Sequence, residues 1–174
     1  MKIGIISDTH KKVKKAQKAL DLLLKNGAEF IVHAGDIVEF EVLELLKNCG
    51  KKYVAVYGNN DAHLASYHQD FNLVEEPHYF KLANTSFKLM HLPFYMAPDT
   101  EIVLFGHTHE FKSEFNNGTL FLNPGEVCAR NEPFSTCVML EVEEKTFKVT
   151  QYSRPKKADT FKETTFLYTR TKNV

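Results

Sequence analysis

The strongest constraint on this chain is the alternation, between Lys2 and Tyr57, of short apolar runs with amphipathic segments. Lys2 to Ser7 suits a central strand. Lys11 to Asn26 carries Val13, Ala16, Leu20, Leu23 and Leu24 on one helical face and lysines on the other, with Gly27 placed as a C-terminal cap. Glu29 to Ala34 is a second strand-like run ending at Gly35-Asp36. Glu41 to Asn48 is a second helical segment, packed through Val42, Leu45 and Leu46, and Tyr53 to Tyr57 is a third strand ending at Gly58. Strand-helix-strand-helix-strand in this order requires parallel strands joined by right-handed crossovers.

From about His78 the rhythm changes. Tyr79 to Leu82 and Phe87 to His91 flank Asn84-Thr85 as a hairpin, and Ile102 to Phe105 is a buried type of strand running into Gly106-His107. Lys112 to Phe115 and Thr119 to Leu122 flank Asn116-Asn117-Gly118, a strong turn signal, and Thr136 to Val142 pairs with Thr146 to Gln151 in the same manner. The first part is α/β and the second mostly antiparallel β. The expected fold class is α/β, a two-layer β-sandwich of mixed sheets flanked by helices. A single domain is expected over residues 1–151. Residues 152–174, polar and rich in lysine and threonine, are expected to form a C-terminal tail or an arm docking on the domain or a neighbouring subunit.

At 174 residues, 43% hydrophobic and 25% charged, the chain can bury a substantial core as one domain. A formal net charge of +0 argues against gripping nucleic acid through a broad basic field. Lysines 11, 12, 14, 15 and 18 read as a solvated helix face, because no aromatic residues are interleaved for base stacking. Cys49, Cys128 and Cys137 form no C-x-x-C pair, so neither a disulfide framework nor a thiolate zinc site is expected. No run is long enough to span a bilayer, and the opening Met1-Lys2-Ile3-Gly4-Ile5-Ile6 is too short for a signal-peptide core. A soluble, cytoplasmic protein is the expectation, with homo-oligomerisation through the hairpins or the tail left open.

Polar clusters stand where the strands run out: Asp8-Thr9-His10, Gly35-Asp36, Gly58-Asn59-Asn60-Asp61 and Gly106-His107-Thr108-His109, with His91 ahead of the last. Ligands gather at the carboxyl ends of parallel strands, so one rim should collect these side chains. Asp8 and His10 are two residues apart, as are His107 and His109, and in extended backbone each pair projects to one side. Every donor is an oxygen or an imidazole, which suits a hard-to-borderline divalent cation.

The order D-x-H, G-D, G-N-x-D, H, G-H-x-H is similar to that of the calcineurin-like metallophosphoesterases. With Asn123-Pro124-Gly125 following, it resembles the small phosphodiesterases of the YfcE type over roughly residues 1 to 150. The resemblance implies the metallophosphoesterase fold and an enzyme that hydrolyses small phosphodiesters with a hydroxide bridging two divalent metal ions. It further implies Asp8, His10 and His109 on the first ion, Asn59, His91 and His107 on the second, and Asp36 bridging. Asp61 would orient Asn59 or its loop from behind. Manganese is the expected activator in an assay, with Fe, Zn, Ni or Mg as other occupants, since O and N donors do not choose among them. Two such ions and two aspartates leave a charge excess near +2, which attracts phosphate without help from Arg or Lys.

Two positions depart from the family pattern. Asn60 stands where many members carry the histidine that protonates the leaving group, and Asn cannot serve as a general acid. His91-Leu92-Pro93 replaces the usual His-Gly-His, and the stretch from His91 to His107 is short, which opens one wall of the pocket. His63 is a candidate to stand in for the missing acid. His33 reads as a satisfied core histidine, His78 as a surface residue, and Cys128 as a small buried thiol. The rival readings are a non-catalytic scaffold of the retromer-subunit (Vps29-like) type, and a nuclease-like relative acting on nucleic acid.

Overall fold

The computed structural model describes residues 1–170. In chain order the elements are β1 (Lys2–Ile6), α1 (Val13–Lys25), β2 (Phe30–His33), α2 (Phe40–Asn48), β3 (Lys52–Val56), a 3-10 turn (Ala62–Tyr67), β4 (Leu73–Val74), β5 (His78–Leu82), β6 (Thr85–Leu89), β7 (Ile102–Leu104), β8 (Phe111–Asn116), β9 (Thr119–Pro124), β10 (Phe134–Val142), β11 (Thr146–Pro155) and β12 (Lys162–Thr169). A seven-stranded sheet runs β12-β11-β10-β1-β2-β3-β4 and a five-stranded sheet runs β5-β6-β7-β9-β8. This is the expected sandwich of two mixed sheets with helices outside.

The alternation of the first strands explains the layers. Ile3 and Ile5 of β1 face the second sheet, joining Val32, Val54, Phe87, Leu89, Ile102, Leu104, Leu120 and Leu122 in a core between the sheets. Ile6 faces the other way, against Leu20 and Leu23 of α1 and Leu43 and Leu46 of α2. Period-2 strands sorted between two apolar surfaces produce this three-tier stack. α1 stops at a Schellman motif: Ala28 N–H donates to Leu23 O (3.0 Å) and Gly27 N–H to Leu24 O (3.0 Å). Gly27 takes φ +89° there, a backbone that a side chain would strain.

As expected, pairing in the second part is mostly antiparallel: β5–β6, β8–β9, β10–β11 and β11–β12. Within it, β6, β7 and β9 lie parallel to one another. The loop between Met90 and Glu101 carries the chain back over the sheet, so β7 runs alongside β6 rather than against it. This matters for the site, since parallel strands deliver their C-terminal ends to one rim. The hairpin expected to end at Gln151 continues to Pro155, and β12 then pairs antiparallel with β11. Lysine and threonine on an exposed edge strand give the polar, weakly periodic sequence there. Residues 171–174 lie outside the described part.

Candidate metal centre

Six strand ends converge on one place. β1 supplies Asp8 and His10, β2 supplies Asp36, and β3 supplies Asn59, Asn60 and Asp61. From the second sheet β6 supplies His91, β7 supplies His107 and His109, and β9 leads to Glu126. The nine residues expected from the sequence are all brought together here.

The distances describe a cage of donors. His109 Nε2 lies 3.5 Å from Asp8 Oδ1, and His10 Nε2 lies 4.0 Å from the same oxygen. Asp36 faces both sides of the cage: its Oδ2 is 3.5 Å from His10 Nε2 and its Oδ1 is 3.5 Å from His91 Nε2. Asn59 Oδ1 lies 3.0 Å from His91 Nε2 and 3.1 Å from His107 Nδ1. His91 is fully buried, and its Nδ1 donates to Ala34 O (2.8 Å), which leaves the Nε2 lone pair facing the cage.

The donor set fits a cation. Asp8 Oδ1 and His10 Nε2 are buried without any hydrogen-bond partner. Ser7 Oγ–H and His107 N–H both donate to the other Asp8 oxygen, Oδ2, at 2.6 and 3.2 Å. Burial pushes the Asp8 carboxyl above its ordinary pKa and, despite Asp36, pulls the His10 imidazole below its own. Orphaned buried donors of this kind are costly unless something binds them. Asp36 shifts the other way. Burial raises its pKa, but His91, two hydrogen bonds from Asn60 and His10 outweigh that and hold it below the ordinary carboxylate range.

The clamps do not form as the i, i+2 rule for extended backbone predicts. Asp8, His10, Asp36, His107 and His109 all take left-handed backbone, with φ between 43° and 66°. Aspartate and histidine tolerate that region better than most residues. Val38, at φ 65°, tolerates it poorly, so it has to be held. Asp61 holds it. Its buried carboxylate accepts from Val38 N–H (2.8 Å), Ile37 N–H (3.0 Å) and Gly58 N–H (2.8 Å), tying the Asp36 loop to the Asn59 loop. Burial still lifts the Asp61 pKa above its ordinary value, against the pull of those three donors. Gly58 is forced by the same closeness, since a Cβ there would sit 2.2 Å from Asp36 N and Oδ1.

The remaining sequence candidates are sorted by their partners. Asn60 turns inward: its Nδ2 donates to Asp36 Oδ2 (2.7 Å) and its N–H to Asp36 Oδ1 (3.0 Å), so it braces the bridging carboxylate. His63 does not lean over the cage. It is exposed, and its Nε2 donates to Val38 O (2.6 Å), a second restraint on that strained residue. His33 is wholly buried and satisfied, with Nδ1 accepting from Gly35 N–H and Nε2 donating to Thr9 Oγ1. Burial lowers its pKa to about 3, so it stays neutral. His68 bonds only Ala65 O, and His78 stacks on Phe80 away from the cage. Asn123 fastens the histidine loop, donating to Gly106 O and Thr108 Oγ1. The short wall after His91 is pinned by Lys88, a buried lysine whose Nζ donates to Tyr95 O and Ala97 O.

Sequence reasoning missed Glu126 and the basic residues at the rim. Glu126 is fully buried and accepts from His109 Nδ1 at 2.5 Å, from Cys128 Sγ at 3.1 Å and from Glu132 N–H. The signal was an acidic residue directly after Asn123-Pro124-Gly125, with no helix to place it on a solvated face. Burial raises the Glu126 pKa, but His109, Cys128 and Glu132 N–H bring it below the ordinary value. The same hydrogen bond raises the pKa of His109. A carboxylate behind a ligating histidine fixes its tautomer and increases its basicity. It also subtracts a further charge, so the expected excess near +2 becomes about +1. Cys128 sits within reach of His10 and His109, yet burial and Glu126 push its thiol up to about 12, so it is a neutral neighbour. Lys11 and Lys12 are not on the face of α1, which begins at Val13. They and Arg130 stand at the rim beside His10.

In metal-free protein the pair His109–Glu126 carries a pH signature. The lowered Glu126 value contributes stability present above the ordinary 4.5 and lost as pH falls through its folded pKa. The raised His109 value contributes stability present below the ordinary 6.5 and lost as pH rises through its folded pKa. In chelator, the difference in thermal midpoint between wild type and Glu126→Gln is therefore expected to peak between those two values and to shrink on either side. A difference that stays constant from about pH 4 to about pH 9 would mean that the pair is not charged.

A calcineurin-like phosphoesterase superfamily domain matches residues 1–145. Phosphodiesterase MJ0936 of Methanocaldococcus jannaschii is 30% identical over 161 residues, covering 85% of this chain and 97% of that protein. Phosphodiesterase YfcE of Escherichia coli K12 is 26% identical over 148 residues, covering 73% of this chain and 79% of YfcE. The crystal structure of a Vps29 single mutant from Entamoeba histolytica superposes with a TM-score of 0.77 at 20% identity, covering 97% of this chain and 99% of that one, a likeness of fold alone.

Proposed function

Since this chain belongs to the calcineurin-like phosphoesterase superfamily, and is accordingly a metal-dependent phosphoesterase, we propose that it is a dinuclear phosphodiesterase acting on small phosphodiesters. One observation carries the reading: Asp36 presents one carboxylate oxygen to His10 and the other to His91, so it stands between two separate groups of donors. Asp8, His10 and His109 would hold one divalent ion, Asn59, His91 and His107 the other, with Asp36 shared. Such ions, when bound, lower the pKa of water and neutralise charge developing on phosphoryl oxygens.

The chain's own residues do the positioning. Ser7 and His107 N–H turn Asp8 so that Oδ1 faces the cage, Asn60 fixes both oxygens of Asp36, and Glu126 fixes the tautomer of His109. No imidazole in the described structure occupies the place of a leaving-group acid, because Asn60 is committed to Asp36 and His63 to Val38. Diesters with good leaving groups are therefore favoured over monoesters. Manganese is the activator expected in an assay. Three free cysteines fit a reducing cytoplasm, and among the described residues no helix is long and apolar enough to cross a membrane.

The test is metal content together with hydrolysis of bis-p-nitrophenyl phosphate in Mn, Ni, Zn and Mg. About two ions per chain and turnover of the diester are expected. One ion per chain would refute the dinuclear centre. Two ions without turnover would favour a scaffold with the Vps29 fold.

A further inference from the structure

We infer that the substrate is an asymmetric phosphodiester, with one apolar ester arm and a second arm that carries an additional anionic group such as a carboxylate or a second phosphate. This rests on the hydrolase reading above and deepens it. Two cavities adjoin the cage, and they part at the Asn59–Asn60 step: Asn59 lines one and Asn60 lines the other.

The cavity on the Asn59 side is about 930 Å³, within the range that takes an aromatic ring or a short chain. Tyr57, Leu73, Val74 and Leu92 give it an apolar lining. Its charged side chains are Glu75 and Glu76, and no lysine or arginine lines it. Glu76 is fixed in place, accepting from the backbone N–H groups of His91 and Leu92. An anionic arm placed here would meet two carboxylates, whereas an uncharged apolar arm meets complementary surface.

The cavity on the Asn60 side is about 450 Å³ and has the opposite character. Lys11, Lys12 and Arg130 line it, with no carboxylate among its lining residues. None of the three forms a salt bridge among the described residues. Arg130 reaches only the neighbouring Asn131 side chain, at 3.4 Å. Helix α1 starts immediately beyond, with no acidic residue in its first turn to offset the positive end of its dipole. In a chain of zero net charge, three cations without counterions at the mouth of one cavity are a local excess that an anion would match. A phosphorus atom at the cage has two ester oxygens and two exits for its arms, and the exits differ in sign.

Three matched p-nitrophenyl phosphodiesters test this, the second alcohol being ethanol, 3-hydroxypropionate or choline. With metal-loaded wild type, kcat/KM for the carboxylate ester is expected about tenfold above the ethyl ester, the order given by a few partly solvated charge contacts. The gain should lie in KM and shrink with added salt. The choline ester should fall below the ethyl ester. Combining Lys12→Ala with Arg130→Ala, both exposed, should bring the carboxylate-to-ethyl ratio close to unity. Leu92→Glu should raise KM for all three aryl esters and leave their ratios in place. A wild-type ratio of unity, a preference for choline, or no response of KM to Leu92→Glu would overturn the proposal. The hydrolase reading survives those outcomes as long as the ethyl ester is turned over. No turnover of any ester would overturn both.

Discussion

Asp36→Ala is expected to abolish hydrolysis of bis-p-nitrophenyl phosphate at every divalent cation and to lower metal occupancy. The loss should be at least about 10²–10³-fold, the scale of removing one preorganised electrostatic stabiliser. Among the described residues no other carboxylate comes within 4.0 Å of both His10 and His91, so no neighbour replaces it in place. The substitution leaves Asn60 with two donors lacking their acceptor, yet Asn60 is exposed and water can satisfy it, so the fold should persist. Activity and bound metal should therefore fall while the unfolding transition changes little. Unchanged activity would overturn the assignment of Asp36.

Asp61→Ala should produce the opposite pattern, a large loss of stability. Its carboxylate is the acceptor for Ile37, Val38 and Gly58 N–H, and alanine would strand all three. A buried donor left without a partner costs on the order of 1–3 kcal/mol. Gly58 and Val38 are only partly buried, so water recovers some of this, and a total of about 3 kcal/mol is expected. For a chain of this size that corresponds to a fall in thermal midpoint of roughly 6–12 °C. Val38 would also lose a restraint on its left-handed backbone, so the Asp36 loop should loosen and metal affinity fall with it. A midpoint within about 1 °C of wild type would show that the loops are held by other means.

The sequence reveals the donors more readily than the way they are held. β1, α1, β2, α2 and β3 are legible because their apolar periodicity is unbroken and their ends carry glycine or polar stops. The convergence of the nine candidate residues is legible because oxygen and imidazole donors stand at the strand ends. The parallel course of β6, β7 and β9 is not, because pairing direction depends on where the loop between Met90 and Glu101 crosses, and no local pattern records that. β4 is two residues long and has no period to detect. Glu126 escapes because its meaning lies in His109, seventeen residues earlier in the chain and 2.5 Å away in space. Lys11 and Lys12 look like part of a helical stripe until the helix is seen to start after them. His63 looks like a candidate for proton transfer, and tertiary contacts give it a bracing role instead, as they do Asn60.

The left-handed backbone at the donors Asp8, His10, Asp36, His107 and His109 has an evolutionary consequence. Non-glycine residues in that region cost free energy and persist only where surrounding contacts and use sustain them. Substitution by glycine would relieve the backbone and erase the donor in the same event. Losing the chemistry and gaining robustness are thus one mutational direction. A duplicated copy released from its substrate would drift along it, shedding its cage while the sandwich became sturdier. On this architecture an inert, durable framework is the downhill descendant of an enzyme, and the return journey is uphill at every one of those positions.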